Sequence, residues 1–291
     1  MARCTAFVAA AMLLAWGNPG PAQEIVHFPS YQDNGADQPS TVLDGYLFRP
    51  AGDGRRPAVV GLPGCSGMFV RGTTALTPLY RAWAGELARR GYVFLLVDSL
   101  GPRRHGEMCS IGGFDLAIYR RRPRDAYGAL WFLQAQPFVH GDRIALAGWS
   151  QGGAATLFAV DARSAARPAI IPHGDFRAAV AVYPGACDDR RQPAAWTSTT
   201  PLLVLMGAED VWTPMLPCKT FLDGAIGRGA PIELQIYPGA YHGFDAPNQQ
   251  RRELPDYRTR TGVIPIVGTD PAARADAVER VPAFLARFVG N

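Results

Sequence analysis

The sequence predicts an α/β fold, a mostly parallel sheet with helices on both faces. Three observations point there. Short, fully apolar runs such as Ala58 to Leu62 and Tyr92 to Val97 suit strands covered on both sides. Those runs alternate with helical stretches, the order that builds a parallel sheet. Finally, Gly148-Trp149-Ser150-Gln151-Gly152 falls where an apolar strand pattern gives way to a helical one.

The elements follow in chain order. Thr41 to Phe48 reads as an early strand closed by Arg49-Pro50, and Ala58 to Leu62 as a buried strand stopped by Pro63-Gly64. Thr77-Pro78 opens a helix that runs to Arg90, with Gly91 as its stop. Tyr92 to Val97 is the next strand and ends in Asp98-Ser99. A helix is expected from Pro123 to about Gln134, a strand over Arg143 to Ala147, and a helix over Gln151 to Val160. Ala178 to Tyr183, Pro201 to Met206 and Ile232 to Tyr237 read as three more strands. A helix from near Pro214 to Gly227 separates the last two. Ala272 to Phe288 closes the chain as a helix with Val278, Val281, Leu285 and Phe288 on one stripe.

The 291 residues, 48% hydrophobic and 19% charged, are enough for one large core. Net charge is +4, carried almost wholly by arginine because Lys219 is the sole lysine. Arg120, Arg121, Arg122 and Arg124 cluster, but without interleaved aromatics. They read as the solvated start of a helix rather than a nucleic-acid site. Arg3 followed by the apolar run Ala6 to Trp16, with Gly20 and Ala22 ahead of Gln23, reads as a signal peptide over 1–22. The run is too short to span a bilayer, and no cysteine follows it that would take a lipid anchor. One exported α/β domain over 23–291 is therefore expected, periplasmic or extracellular, without membrane insertion once the leader is removed. In an oxidising compartment Cys65, Cys109, Cys187 and Cys218 favour bridges. Of the three pairings, Cys65–Cys109 with Cys187–Cys218 would tie together loops at the carboxyl edge of the sheet. None has the short paired spacing of a zinc site.

Chemistry in such sheets gathers at the carboxyl ends of strands. Gly and Ser together often mark only a turn, yet Ser150 stands between a strand and a helix, where an exposed nucleophile belongs. Its hydroxyl needs a base. Of five histidines, only His242 in "YPGAYHGFD" follows the last strand. Asp210 follows the strand Pro201 to Met206 and would orient that imidazole, with Glu209 its neighbour and rival. Asp98 precedes the serine and reads as a structural cap of its loop. Two backbone amides would receive the oxyanion, those of Gln151 and Cys65, the latter in "LPGCSG". Trp149, Met68, Phe69, Trp212 and Phe244 lie near these loops in sequence and suit either a substrate pocket or the core. Arg103 and Arg104 suit a contact to a substrate carboxylate or, by default, a solvated loop.

Together "LPGCSG", "GYVFLLVDSLGPR", "RPRDAYGALWFL", "RIALAGWSQGG", "LLVLMGAEDVWTP" and "YHGFD" resemble the α/β-hydrolase superfamily and, within it, the dienelactone hydrolase family. The resemblance spans nearly the whole chain after the leader. It implies the α/β-hydrolase fold and a Ser150–Asp210–His242 triad that works through an acyl-enzyme, without a cofactor or metal. It also implies a small ester or lactone as substrate. Two features depart from the family. Dienelactone hydrolases proper carry cysteine where this chain has Ser150, and many hydrolases carry histidine where it has Pro63. The serine shifts the expectation toward a general carboxylesterase. A small peptidase of the prolyl-oligopeptidase kind and a catalytically silent binding module are the alternatives.

Overall fold

The computed structural model describes residues 23–290; the leader expected over 1–22 lies outside them. Eight strands form one sheet in the order β1 (Gln23–Pro29), β2 (Val42–Phe48), β4 (Val93–Asp98), β3 (Arg56–Leu62), β5 (Val139–Trp149), β6 (Ala179–Val182), β7 (Leu202–Gly207), β8 (Ile232–Tyr237). β1 and β2 run antiparallel at one edge, and every pairing from β4 through to β8 is parallel. β3, β5, β6, β7 and β8 therefore deliver their carboxyl ends to one edge. A short pair, β9 (Arg252–Glu253) and β10 (Ile266–Val267), lies in the loop region after β8.

Each central strand buries both faces, so alternate residues serve two different cores. Val60 and Leu146 pack with α2 (Leu116–Gln134), α3 (Gln151–Val160) and α4 (Met215–Gly227). Val59, Ala145 and Ala147 face the other way, toward α1 (Pro78–Arg89) and α5 (Pro271–Val289). This double burial is why the strands read as unbroken apolar runs.

Apart from the two-residue strands β9 and β10, which the sequence pattern does not show, strand and helix positions agree with it to within a few residues, with two exceptions. β1 has no counterpart in the pattern: its only buried residue is Phe28, so it is an edge strand held by pairing to β2. α2 starts at Leu116 instead of Pro123. The Asp115 carboxylate caps it, accepting from the Ala117 and Ile118 amides, and Pro123 sits inside the helix.

That earlier start corrects the reading of the arginine cluster. Arg120 is exposed, but Arg122 lies in the interior at 1% exposure. Arg103 likewise belongs neither to a solvated loop nor to a substrate contact. Its buried guanidinium holds Asp33 and Asp125, each at 2.8 Å, and bonds the Ser99 carbonyl. Arg104 beside it is exposed. Asp98 caps its own loop, accepting from the Leu100 and Gly101 amides at 2.9 Å.

Cystines join Cys65 to Cys109 and Cys187 to Cys218. They close separations of 44 and 31 residues, and each lowers the entropy of the unfolded chain by an amount worth roughly 4 kcal/mol on the loop-closure account.

The tightest contact in the sheet region is between α3 and the ends of β3 and β5. A methyl group placed on Gly152 would collide with the Leu62 carbonyl oxygen, and one on Gly148 with the Gly152 carbonyl. Both obstacles are backbone, which has no rotamer to move. Gly152→Ala is therefore expected to destabilise the protein by roughly 3 kcal/mol or more, read as a fall in the urea midpoint. Gly85→Ala is the control, because Gly85 sits in α1 with open space around it. That change is expected to stabilise by about 0.5–1 kcal/mol.

Candidate active site

Ser150 connects β5 to α3 with φ 55° and ψ −113°, a backbone region that side-chain-bearing residues rarely enter. Bonds on both sides hold it there. Its amide donates to Val182 O at 2.9 Å, and its carbonyl accepts from the Ala154 and Gly185 amides, both at 2.9 Å. The serine stands at the cap position of α3 but makes no side-chain cap bond. Its hydroxyl faces a cleft, and the positive end of the α3 dipole lies beside it.

The loop after β7 carries Asp210, buried at 3% exposure. Four donors surround its carboxylate. The Trp212 and Thr213 amides reach Oδ1 at 2.8 and 2.9 Å, while Thr213 Oγ1 and His242 Nδ1 reach Oδ2 at 2.6 and 2.7 Å. Glu209, the rival acid, is exposed. His242 follows β8, and its carbonyl accepts from the Gly268 amide, which pins the loop against β10. With Nδ1 engaged by the carboxylate, Nε2 is the nitrogen left for proton transfer. The Tyr183 and Trp212 rings pack on the imidazole at centroid distances of 4.4 and 4.8 Å. The other four histidines line neither of the cavities described below.

Opposite the elbow lies the loop after β3. Gly64 approaches so closely that an added Cβ would stand 3.5 Å from Ser150 Cβ. The Gly64 amide donates to Tyr80 Oη at 2.7 Å, the Cys65 carbonyl accepts from Met108 at 2.7 Å, and Cys65 Sγ is bonded to Cys109. Among the described residues no protein acceptor takes the amide of Cys65 or of Gln151. Two free N–H groups thus flank a cleft that Ser150 also lines.

Two cavities, of about 800 and 430 Å³, meet at Ser150. Cys65, Cys109 and Trp212 also border both. The larger is lined by Met108, Phe114, Leu116, Tyr119, Phe158 and Gln151. The smaller holds His242, Trp149, Tyr183 and Tyr257. Of the five apolar residues considered for the pocket, Trp149 and Trp212 border these cavities. The other three belong to the core. Met68 and Phe244 are fully buried, and Phe69 packs edge-on against Tyr46. Hydrophobicity near these loops could not separate the two groups, because cleft walls and core draw on the same apolar residue types.

Three side chains at the site carried no sequence signal of their own. Thr213 follows Asp210 by three residues in an ordinary turn. Tyr80 lies on α1, remote in sequence. Asp245 closes "YHGFD", yet it is wholly buried and accepts from Trp83 Nε1 at 2.7 Å, Trp149 Nε1 at 2.9 Å and Tyr183 Oη at 2.7 Å. Burial raises its carboxyl above the usual range, opposed by the three donors. Burial also pushes the Tyr183 phenol well up, which keeps it a donor.

Comparison with known proteins gives the family and the fold. Residues 43–289 match the dienelactone hydrolase family. A Bradyrhizobium sp. protein named for 2-oxo-3-(5-oxofuran-2-ylidene)propanoate lactonase activity is 27% identical over 206 residues, 68% of this chain and 77% of that one. Among solved structures, the dienelactone hydrolase-like promiscuous phosphotriesterase P91 from metagenomic libraries superposes with a TM-score of 0.62 at 21% identity, covering 92% of this chain and all of that one. Esterase 2 of Thermogutta terrifontis, phosphorylated by paraoxon, gives a TM-score of 0.60 at 19% identity over 94% and 97% of the two chains. These structures share the α/β-hydrolase fold. The chain belongs to the dienelactone hydrolase family and is a hydrolase.

Proposed function

We propose that this protein hydrolyses carboxylic esters or lactones, with Ser150 as nucleophile, His242 as general base and Asp210 as the acid that orients it. The observation that carries the reading is the 2.7 Å Asp210–His242 bond in the cleft lined by a serine on a strained elbow. His242 Nε2 takes the Ser150 proton as Oγ bonds to the carbonyl carbon. The oxyanion that forms accepts from the Cys65 and Gln151 amides. Collapse breaks the bond to the alcohol oxygen, which leaves with the proton from His242. Water, deprotonated by the same imidazole, then cleaves the acyl-enzyme. In a lactone the alcohol stays tethered to the acyl group, and the product is one hydroxy acid.

The two cavities then divide the substrate. The leaving oxygen must lie within reach of His242, so the alcohol occupies the 430 Å³ cavity that this residue lines. The acyl group extends into the 800 Å³ cavity with its aromatic lining. Support for ester or lactone chemistry comes from the family and from the Bradyrhizobium relative named as a lactonase. We further infer export of a single catalytic domain, residues 23–291, after removal of a leader. The two cystines support this, and no helix among the described residues is long and apolar enough to cross a membrane.

Three outcomes are expected. Ser150→Ala lowers kcat by about 10⁴-fold or more with an unchanged circular dichroism melt, since only one oxygen is lost. Asp210→Asn lowers kcat by roughly 10⁴-fold, and Glu209→Gln stays within about twofold; the reverse ranking would reassign the acid. In a p-nitrophenyl ester series, kcat/KM rises about tenfold from acetyl to butyryl, as two methylenes enter the large cavity at about 0.8 kcal/mol each. Equal rates across that series, with a matching rise when the alcohol is lengthened instead, would reverse the two cavities.

A further inference from the structure

Arg122 is a full cation in the interior. It projects from α2 at 1% exposure, and burial lowers its pKa without discharging a guanidinium. Among the described residues it makes no ion pair. Asp125, one turn along the helix, is held by Arg103 and by the Ser30 hydroxyl. Taking such a group out of water without a carboxylate in contact costs several kcal/mol, and a methionine would fill the space without that cost. Packing alone does not explain it.

Its two hydrogen bonds do. Nη1 donates to Gln151 Oε1 at 2.7 Å, and Nη2 donates to the Pro63 carbonyl. Gln151 is the residue whose amide faces the cleft at the start of α3. Pro63 O belongs to the same peptide unit as the Gly64 amide, which Tyr80 Oη holds from the other end. That peptide is clamped at both its carbonyl and its amide, and the next amide in the chain is that of Cys65. One guanidinium therefore ties together the two segments that present the free N–H groups.

We propose that Arg122 is a positioning residue for the oxyanion hole, fixing the Cys65 and Gln151 amides relative to each other and placing a buried positive charge behind the site where negative charge develops. The proposal rests on Ser150 being the nucleophile. The guanidinium touches no reacting atom. It matters most in the transition state, because the ground-state carbonyl carries little of the charge it favours.

The test compares Arg122→Met, Arg122→Lys and Gln151→Glu with the wild type and Ser150→Ala, using p-nitrophenyl butyrate and a trifluoromethyl ketone that forms a tetrahedral anion. Arg122→Met is expected to lower kcat by roughly 50-fold with KM within about threefold, and to weaken the ketone by a similar factor. Arg122→Lys should recover part of the loss, since it keeps the charge but not the two-pronged contact. Gln151→Glu keeps Arg122 and its own backbone amide while neutralising the charge, and should lower kcat about tenfold in a protein that melts no lower. A folded Arg122→Met with kcat within threefold, or with the loss confined to KM, overturns the proposal. If Arg122→Met does not fold, an unchanged kcat in Gln151→Glu overturns the part played by its charge. Turnover surviving in Ser150→Ala would instead remove the nucleophile assignment, an outcome the arginine variants cannot mimic.

Discussion

The backbone contact between Gly152 and the Leu62 carbonyl is the constraint on which the site depends. It brings the first turn of α3 against the carboxyl end of β3, a distance that no side chain at position 152 would allow. Once the helix starts there, the chain has a single residue in which to turn from β5, and Ser150 takes up the strain with φ 55°. The same approach sets the α3 amides beside the Pro63–Ser66 loop. The proposed nucleophile and the proposed oxyanion donors thus share one origin: two backbones packed without an intervening Cβ.

A second constraint lies beneath the histidine. Asp245 sits three residues beyond His242 and collects an indole from α1, the indole of Trp149 next to Ser150, and the Tyr183 phenol that packs under the imidazole. Four segments distant in sequence converge on one carboxylate. The group takes its hydrogen bonds from neutral donors, so it braces the site without placing a cation near the base. Arg122 stands on the other side, behind the oxyanion loop. Asp245 beneath the imidazole and Arg122 behind the Pro63–Ser66 loop thus lie on either side of the cleft.

Much of this was legible in the sequence, and the reasons differ by element. The parallel strands announced themselves because burial on both faces leaves no polar alternation, and each ended in a Gly, Pro or Asp that stops a strand. Ser150, Asp210 and His242 stood out as candidates because order along the chain and position after a strand are local properties, and the structure places Ser150 and His242 along one cavity with Asp210 bonded to the imidazole. β1 escaped because one buried residue in seven gives no pattern. The first two turns of α2 were missed because Pro123 resembles a helix start, and the Asp115 cap lies eight residues ahead of it, just after Gly112-Gly113. Charge was misread for a deeper reason. Arg122 and Arg103 have the composition of a solvated surface, and only the three-dimensional placement of Pro63, Gln151, Asp33 and Asp125 makes an interior arginine tolerable. In the same way, nothing local distinguishes Trp149, which borders the cleft, from Met68, which does not.

The central claim is that the elbow activates Ser150, and covalent labelling addresses it most directly. The oxidised protein, treated with a fluorophosphonate and weighed intact, should gain the mass of one adduct, and peptide mapping should place it on Ser150. The rate of labelling should fall steeply in Asp210→Asn, because phosphonylation needs the same proton transfer to His242. No adduct on folded protein, or an adduct on another residue, would contradict the account and leave the strained serine as an architectural feature.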